Sequence, residues 1–250
     1  MSARPSNRQP PASTALVIFA KAPIPGQVKT RLCPALTEDE AATLHGSFVL
    51  DTLERTKAAV SRWKLPVDRF LACAPSSTHV FFRIMEARHG VTLLDQEGDD
   101  LGMRMRQAFN ALFTRGYRQV CLVGTDVPSL PLTHYRDAVE SLTRHDLVLG
   151  PAQDGGYYLI GMTTPHPHLF EGIPWSTDQV LALTQQKAEA GGLNLALLPI
   201  WNDVDTIDDL QRLIEDCAAD KTRPKQERVY SMRTAGTLEL LAKRLRTRQI

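Results

Sequence analysis

The chain has 250 residues, of which 43% are hydrophobic and 23% are charged, and its formal net charge at pH 7 is +1. This length and composition suit one large α/β domain with a full core and argue against a second independent domain. Its uninterrupted apolar runs are all shorter than the about 18 residues that span a membrane, and the polar N-terminus lacks the apolar core of a signal peptide. We therefore expect a soluble, cytoplasmic protein.

Short apolar runs and helical patterns alternate along the chain, as a parallel sheet requires. The runs predict strands at residues 15–20, 70–74, 91–94, 120–124, 147–150, 157–162 and 193–198. The helical patterns predict helices from a capping box at Thr37–Glu40 toward Trp63, over residues 78–89 and 101–115, after Pro131, and over residues 177–190 and 206–217. The sequence thus predicts a single three-layer α/β/α domain with a mainly parallel sheet.

Charge is distributed unevenly between the main domain and the C-terminal segment. From Ala219 onward the net charge is +6, which leaves −5 for the first 218 residues. An acidic main domain argues against nucleic acid as its partner. Leu238, Leu241 and Leu245 recur at helical spacing in the basic segment and predict an amphipathic helix that packs on the domain or on a second subunit. We divide the chain into a flexible tail (residues 1–14), a main domain (15–218) and a basic extension (219–250).

Two acidic sites lie about eighty residues apart in the sequence. Asp126 ends an apolar run and is followed by Val127 and a proline, which indicates a buried strand that delivers a carboxylate to the edge of the sheet, where open α/β folds bind ligands. The second site contains Asp203 and Asp205. Together these acids predict a site for Mg²⁺ or Mn²⁺ carrying phosphates. For Asp203 and Asp205 the alternative is capping of the helix that begins near Thr206.

The loop after the first strand combines cations with one glycine. Backbone N–H groups in such a turn, with Lys and Arg beside them, form a cradle for phosphate oxygens. The Walker spacing is absent, and a plain surface loop is the alternative. We predict nucleotide or phosphate contacts here from Ala20, Lys21, Gly26, Lys29, Thr30 and Arg31. Gly102 and Arg106 begin a helix whose N-terminus could face the base or the phosphates.

The turn at Asp154, Gly155 and Gly156 is the predicted acceptor-side element. Paired glycines allow a ligand to approach the backbone closely, and the Asp154 carboxylate could accept a proton from an incoming hydroxyl. A plain hairpin turn is the alternative. Trp175 and Ser176 could offer a stacking surface and a hydroxyl to the acceptor, although a hydrophobic residue followed by a helix cap would explain them equally.

Six motifs in order resemble the bacterial family of GT-A-type glycosyltransferase-like proteins linked with arsenosugar biosynthesis: FAKAPIPGQVKTRL, LGMRM, VGTDVPSLP, LGPAQDGGYYLIG, IPWST and DVDTIDDL. They more distantly resemble the phospholactate and molybdenum-cofactor guanylyltransferases. The resemblance implies the nucleotide-diphospho-sugar transferase (GT-A) fold, a nucleotide substrate and a divalent metal. It also implies that Asp126 holds the metal, that Asp205, or less strongly Asp203, brings a second carboxylate, and that Asp154 lies at the pocket.

These observations predict a metal-dependent transferase that uses a nucleotide-activated donor. Asp126, Asp154 and Lys29 are the expected catalytic residues, with Lys29 stabilising negative charge on the leaving phosphate. The favoured activity is transfer from a nucleotide sugar to a small-molecule acceptor. One alternative is a nucleotidyltransferase that releases pyrophosphate from a nucleoside triphosphate, and a second is a non-catalytic nucleotide-binding protein. The chain could also form a homo-oligomer.

Overall fold

The computed structural model describes residues 12–224 and 227–247. Most of the predicted flexible tail therefore lies outside the described residues. The strands of the described chain are β1 (Thr14–Lys21), β2 (Val67–Ala74), β3 (Thr92–Asp95), β4 (Gln119–Val123), β5 (Leu147–Pro151), β6 (Tyr157–Met162) and β7 (Leu195–Leu197). The α-helices are α1 (Glu38–Trp63), α2 (Val80–His89), α3 (Leu101–Thr114), α4 (Leu132–Ser141), α5 (Val180–Ala190), α6 (Ile207–Asp220) and α7 (Met232–Thr247).

The seven strands form one sheet in the order β3-β2-β1-β4-β6-β5-β7. Only β6 runs antiparallel to its neighbours β4 and β5, and the other pairs are parallel. The loops that follow β1, β4, β5 and β7 therefore meet at one edge of the sheet. Since β2 and β4 lie on opposite sides of β1, this edge also contains the point where the strand order reverses, which is where open α/β sheets bind ligands.

Helices cover both faces of the sheet and complete the predicted three layers. Apolar residues of α1, α2 and α4 pack on one face, including Phe82 and Tyr135. Residues of α3 and α5 pack on the other, including Phe109 and Ala188. The predicted α/β/α class is confirmed. Among the described helices, none combines the length and the apolar composition needed to cross a bilayer.

The sequence patterns predicted the ends of most helices and strands to within a few residues. Helix α1 begins with the predicted capping box, in which the Thr37 side chain accepts from the Glu40 N–H and the Glu40 carboxylate accepts from the Thr37 N–H. Helix α5 is the clearest exception, because it begins at Val180 rather than at residue 177. The Thr177 hydroxyl donates to the Pro174 carbonyl at 2.7 Å, so residues 174–179 form an irregular loop before the helix.

The C-terminal helix packs on the domain. Leu238 and Leu241 of α7 are buried in a third apolar cluster together with residues of α1 and α6. Helix α6 runs to Asp220 and so crosses the boundary that we predict at residue 218. The division of the chain into domain and extension stays a prediction.

Candidate active site

Lys29 lies at the centre of the reversal point and joins the loops that follow β1, β4 and β7. Its ammonium donates to the carbonyl of Val204 at 2.7 Å and to Asp205 Oδ1 at 2.9 Å, and it forms an ion pair with Asp126. An ammonium has three N–H donors, so all three are engaged by protein oxygens. Lys29 therefore holds the acidic loops together, and its predicted phosphate contact and catalytic role stay predictions.

Burial and charge act in opposite directions on this ion pair. The Lys29 side chain is 4% exposed, and burial alone would lower its pKa, but the Asp126 and Asp205 carboxylates outweigh burial and raise it. Burial likewise raises the pKa of Asp126, yet the Lys29 ammonium and then His45 outweigh burial, and the net shift is downward. Lys29 and Asp126 are thus both charged at neutral pH.

Three other carboxylates form a cluster beside this ion pair. Asp154, Asp203 and Asp205 each offer a carboxylate oxygen, and these oxygens all lie within 4.8 Å of one another. Side chains alternate along an extended segment, and Val204 is 3% exposed, so the flanking Asp203 and Asp205 point to the same side. The Val204 N–H donates to the Asp126 carbonyl at 3.0 Å and fixes the segment against the loop after β4.

Backbone pairing brings Asp154 into the cluster. Ala152 and Trp201 form an isolated parallel bridge, and the Gln153 N–H donates to the Trp201 carbonyl at 3.1 Å. The loop after β5 and the segment after β7 therefore run side by side. Asp154 Oδ1 also accepts from the Gly156 N–H at 2.9 Å, which holds its carboxylate at the start of the turn.

Neither Asp203 nor Asp205 caps helix α6. Thr206 is the N-cap of α6, and its side chain accepts from the Asp209 N–H. The Asp209 carboxylate completes the capping box and also accepts from the Asp205 N–H at 3.1 Å. The Thr206-x-x-Asp209 spacing could have indicated this box from sequence. Neither carboxylate is therefore used as a helix cap, although Asp205 Oδ1 already accepts from the Lys29 ammonium at 2.9 Å.

The cluster has the donor chemistry of a site for a hard divalent cation. Carboxylate oxygens are what Mg²⁺ binds, at about 2.0–2.1 Å, so two ligands on opposite sides of the ion lie about 4.2 Å apart. Burial and then the neighbouring Asp154 raise the pKa of Asp203 to about 7, with a smaller contribution from Asp205. A cation would relieve this repulsion. The three acids fit Mg²⁺ or Mn²⁺. The sequence predicted Asp126 as a metal ligand, but the cluster contains Asp154 instead, and the metal role of Asp126 stays a prediction.

Residues of the predicted phosphate cradle lie at the end of β1 and in the loop between β1 and α1. The Ala20 carbonyl accepts from the Gln96 side chain at 3.0 Å, and Gly26 has φ +75°, a conformation that favours glycine. Lys21, Thr30 and Arg31 are exposed, and Arg31 lies 3.5 Å from Asp205 Oδ2. This loop can therefore offer two exposed cations, Lys21 and Arg31, to an anionic ligand beside the acid cluster.

Two side chains that the sequence analysis did not single out support this loop. Gln96 donates to the carbonyls of Ala20 and Ala72, at the ends of β1 and β2. His45 Nε2 lies 3.0 Å from the Lys21 carbonyl, and burial lowers the pKa of His45. Gln96 lies two residues after a predicted strand and His45 lies within a predicted helix, but neither position by itself indicates a contact with the loop.

Gly102 and Trp175 pack directly on each other. A Cβ added at Gly102 would lie 2.4 Å from the indole nitrogen, so only glycine lets the ring lie on the first turn of α3. Trp175 also stacks on Phe170, with ring centroids 6.4 Å apart. Arg106 lies 3.9 Å from Glu171 on the same side of the sheet. These contacts give Gly102 and Trp175 a packing role.

The acceptor-side turn and the loop before α5 are also in contact. Gly155 has φ +88°, and a Cβ there would lie 2.2 Å from the Asp178 carbonyl oxygen. The Leu181 N–H donates to the Gly155 carbonyl at 2.9 Å. Ser176 is exposed and has φ +67°, which is uncommon outside glycine. Gly155, Gly156 and Ser176 thus lie on adjoining loops beside Asp154.

Comparison with known proteins identifies the family. The chain matches a protein of Desulfovibrio desulfuricans G20, assigned as a nucleotide-diphospho-sugar transferase, with 33% identity, a TM-score of 0.80 and coverage of 94% of this chain and 98% of that chain. Residues 58–177 match the family model described as "Uncharacterized protein conserved in bacteria (DUF2064)". The chain belongs to the DUF2064 family. No curated protein matches its sequence.

More distant structures share the fold of this DUF2064 member. CMP:2-keto-3-deoxy-manno-octonic acid synthetase complexed with CTP matches with 10% identity and a TM-score of 0.53, covering 84% of this chain and 100% of that chain. A cytidylyltransferase from Leptospira borgpetersenii matches with 15% identity and a TM-score of 0.52, covering 93% and 94%. The predicted nucleotide-diphospho-sugar transferase fold is confirmed. The narrower resemblance to the arsenosugar-linked proteins stays a prediction.

Proposed function

We propose that the chain is a metal-dependent transferase that takes a nucleotide sugar as donor and passes the sugar to a hydroxyl group of a small molecule. The main support is the cluster of Asp154, Asp203 and Asp205 at the strand-order reversal of this fold. Like charges held this close repel one another, and a bound cation would offset that repulsion. The relative with 33% identity is itself assigned as a nucleotide-diphospho-sugar transferase.

Each part of the site has a role in this proposal. Asp154, Asp203 and Asp205 would hold Mg²⁺ or Mn²⁺, which neutralises charge on the donor diphosphate. Lys21, at the end of β1, and Arg31, in the loop that follows, would contact the diphosphate. The acceptor hydroxyl oxygen bonds to the anomeric carbon while the bond from that carbon to the diphosphate breaks. The nucleoside diphosphate leaves with the electron pair, and the hydroxyl proton passes to solvent water.

The engagement of Lys29 favours glycosyl transfer over nucleotidyl transfer. Pyrophosphate carries more negative charge as a leaving group than a nucleoside diphosphate does. Three free cations in the loop would therefore be better suited to stabilising pyrophosphate. With Lys29 bound to Asp126, Asp205 and Val204, the exposed cations are Lys21 and Arg31, and Arg31 itself lies 3.5 Å from Asp205 Oδ2. Nucleotidyl transfer is therefore the second candidate, and the experiment separates the two.

Thermal unfolding with a ligand panel tests the proposal. The panel contains nucleoside triphosphates and UDP- and GDP-sugars, each with and without Mn²⁺. A specific ligand at 100 times its Kd stabilises the folded state by about 2.7 kcal/mol. We expect this Mn²⁺-dependent stabilisation from one nucleotide sugar. Asp203→Asn should abolish it and lower donor turnover by roughly two orders of magnitude.

Asp208→Asn is the matched control, because Asp208 is an exposed acid on the first turn of α6 and lies outside the cluster. It should retain the wild-type response. Stabilisation by a triphosphate alone, with pyrophosphate release, would replace the proposal with nucleotidyl transfer. Nucleotide binding without any metal-dependent turnover would instead support a non-catalytic role.

A further inference from the structure

A cavity of about 470 Å³ lies between the segment after β7, helix α6 and the chain at residues 229–230. Asp203 belongs both to its wall and to the acid cluster, so the cavity adjoins the proposed site of transfer. Its size falls within the range of pockets that bind small molecules. Ile200, also in the wall, is 61% exposed. An apolar side chain so exposed in the wall would gain from contact with a ligand.

Two aromatic rings in the cavity wall are held in place by polar contacts. The Trp201 indole N–H donates to the Ser129 hydroxyl at 3.0 Å. Its backbone N–H donates to the Pro151 carbonyl at 3.0 Å. Tyr230 lies on the opposite segment, where its backbone N–H donates to Asp220 Oδ2 at 3.2 Å. Rings fixed in this way offer apolar faces at little further cost in entropy.

The cations in the wall are already engaged by protein groups. Arg212 binds Asp209 at 2.5 Å, and Arg223 lies 3.6 Å from Asp220. The Arg55 guanidinium donates to backbone carbonyls, including that of Val229 at 2.8 Å. The wall contains four carboxylates, from Asp203, Asp209, Asp216 and Asp220, against these three guanidinium groups. A phosphorylated ligand would have to displace an existing ion pair and approach a carboxylate majority.

We propose that this cavity binds the acceptor and that the acceptor is a neutral, polyhydroxylated ring such as a sugar or a cyclitol. The C–H face of such a ring packs on Trp201 and Tyr230, while its hydroxyls bond to carboxylates and guanidinium groups without displacing a charge. A hydroxyl at the Asp203 end of the cavity would face the acid cluster. This assignment rests on the proposed function, because it names the acceptor class for the same reaction.

Saturation-transfer NMR on the full chain tests the assignment in the absence of nucleotide and metal. The probes are methyl α-glucopyranoside, methyl α-mannopyranoside and myo-inositol, with glucose 6-phosphate as the charged comparison. Ala219→Phe places a ring in the cavity from an exposed position on α6. Ala218→Phe is the matched control, because Ala218 is exposed on the same helix but is not part of the wall. Circular dichroism establishes that both variants fold.

We expect at least one neutral probe to bind the wild type, and Ala219→Phe to weaken it by about tenfold or more, as expected when a pocket is filled. Ala218→Phe should stay within about twofold of the wild type. Two outcomes would overturn the assignment: no neutral probe binds, or glucose 6-phosphate alone binds in a manner sensitive to Ala219→Phe. This binding assay contains no nucleotide, so its result is independent of donor turnover. If a sugar binds in the cavity but the protein turns over no donor, the proposed function is refuted while the assignment of the cavity as a sugar site stands.

Discussion

Lys29 has a left-handed backbone conformation, with φ 50°, that costs a non-glycine residue about 1–2 kcal/mol. The same conformation turns its side chain into the interior, where the ammonium links the loop after β1 to Asp126 and to the segment before α6. One residue therefore sets the separation of three loops. The acid cluster depends on it, because Asp205 belongs to both sets of contacts.

Replacing Lys29 should destabilise the protein and change its response to cations. Lys29→Met removes the cation between Asp126 and Asp205, and we expect a loss of about 1–3 kcal/mol in the free energy of unfolding, less than for a fully buried pair because the carboxylates are partly exposed. Added Mn²⁺ should restore more stability to this variant than to the wild type. Urea unfolding with and without Mn²⁺ measures both effects.

Lys21→Met is the control for this variant, since Lys21 is the exposed last residue of β1 and should change stability by no more than about 0.5 kcal/mol. Equal stability of the two variants would show that the Lys29 contacts contribute nothing to holding the loops together.

At the level of secondary-structure elements, the site depends on contacts between loops that lie far apart in the sequence. The turn after β5 is held between the segment after β7 and the loop before α5. Gly155 is the point of closest approach, because its missing Cβ leaves room for the Asp178 carbonyl. Position 155 thereby controls where the neighbouring Asp154 carboxylate lies.

Gly155→Ala should therefore disturb both stability and the acid cluster. The new Cβ meets backbone, which cannot move aside cheaply, and φ is +88°, so we expect a loss of about 3 kcal/mol or more. Gly192→Ala is the matched control, because Gly192 has φ +66° with nothing within 4 Å of an added Cβ, and it should cost only about 1–2 kcal/mol. Calorimetry gives both values, and equal losses would refute the collision.

Sequence patterns predicted the elements of this fold better than the contacts between them. The capping box of α1 lies within four residues, and each buried strand is a short apolar run. Both can therefore be predicted from neighbouring residues in the sequence. By contrast, Asp154 joins Asp203 only because Ala152 pairs with Trp201, about fifty residues further along the chain. The start of α5 was misplaced for a similar reason, since Gly155 contacts Asp178 and Leu181 there.

At the scale of the whole molecule, the C-terminal helix and the active-site loops share one apolar cluster. Leu238 and Leu241 of α7 pack with residues of α1 and α6, and Val204, between the two acids, belongs to the same cluster. Polar contacts add to this packing: Thr234 donates to the buried Asp51 of α1 at 2.5 Å. Helix α7 of the basic segment thus belongs to the same apolar cluster as Val204, the residue between Asp203 and Asp205.

Leu238→Ala tests whether α7 unfolds together with the domain. Leu238 is 1% exposed, and truncating a buried leucine costs about 2–5 kcal/mol. If α7 and the domain unfold cooperatively, tryptophan fluorescence and far-ultraviolet circular dichroism should give one coincident transition at a lower Tm. Leu240→Ala, on the same helix but at a position 69% exposed, should leave the Tm nearly unchanged. A separate early transition in Leu238→Ala, seen by circular dichroism but not by fluorescence, would mean that α7 is an independent appendage. The acid cluster would then not depend on its packing.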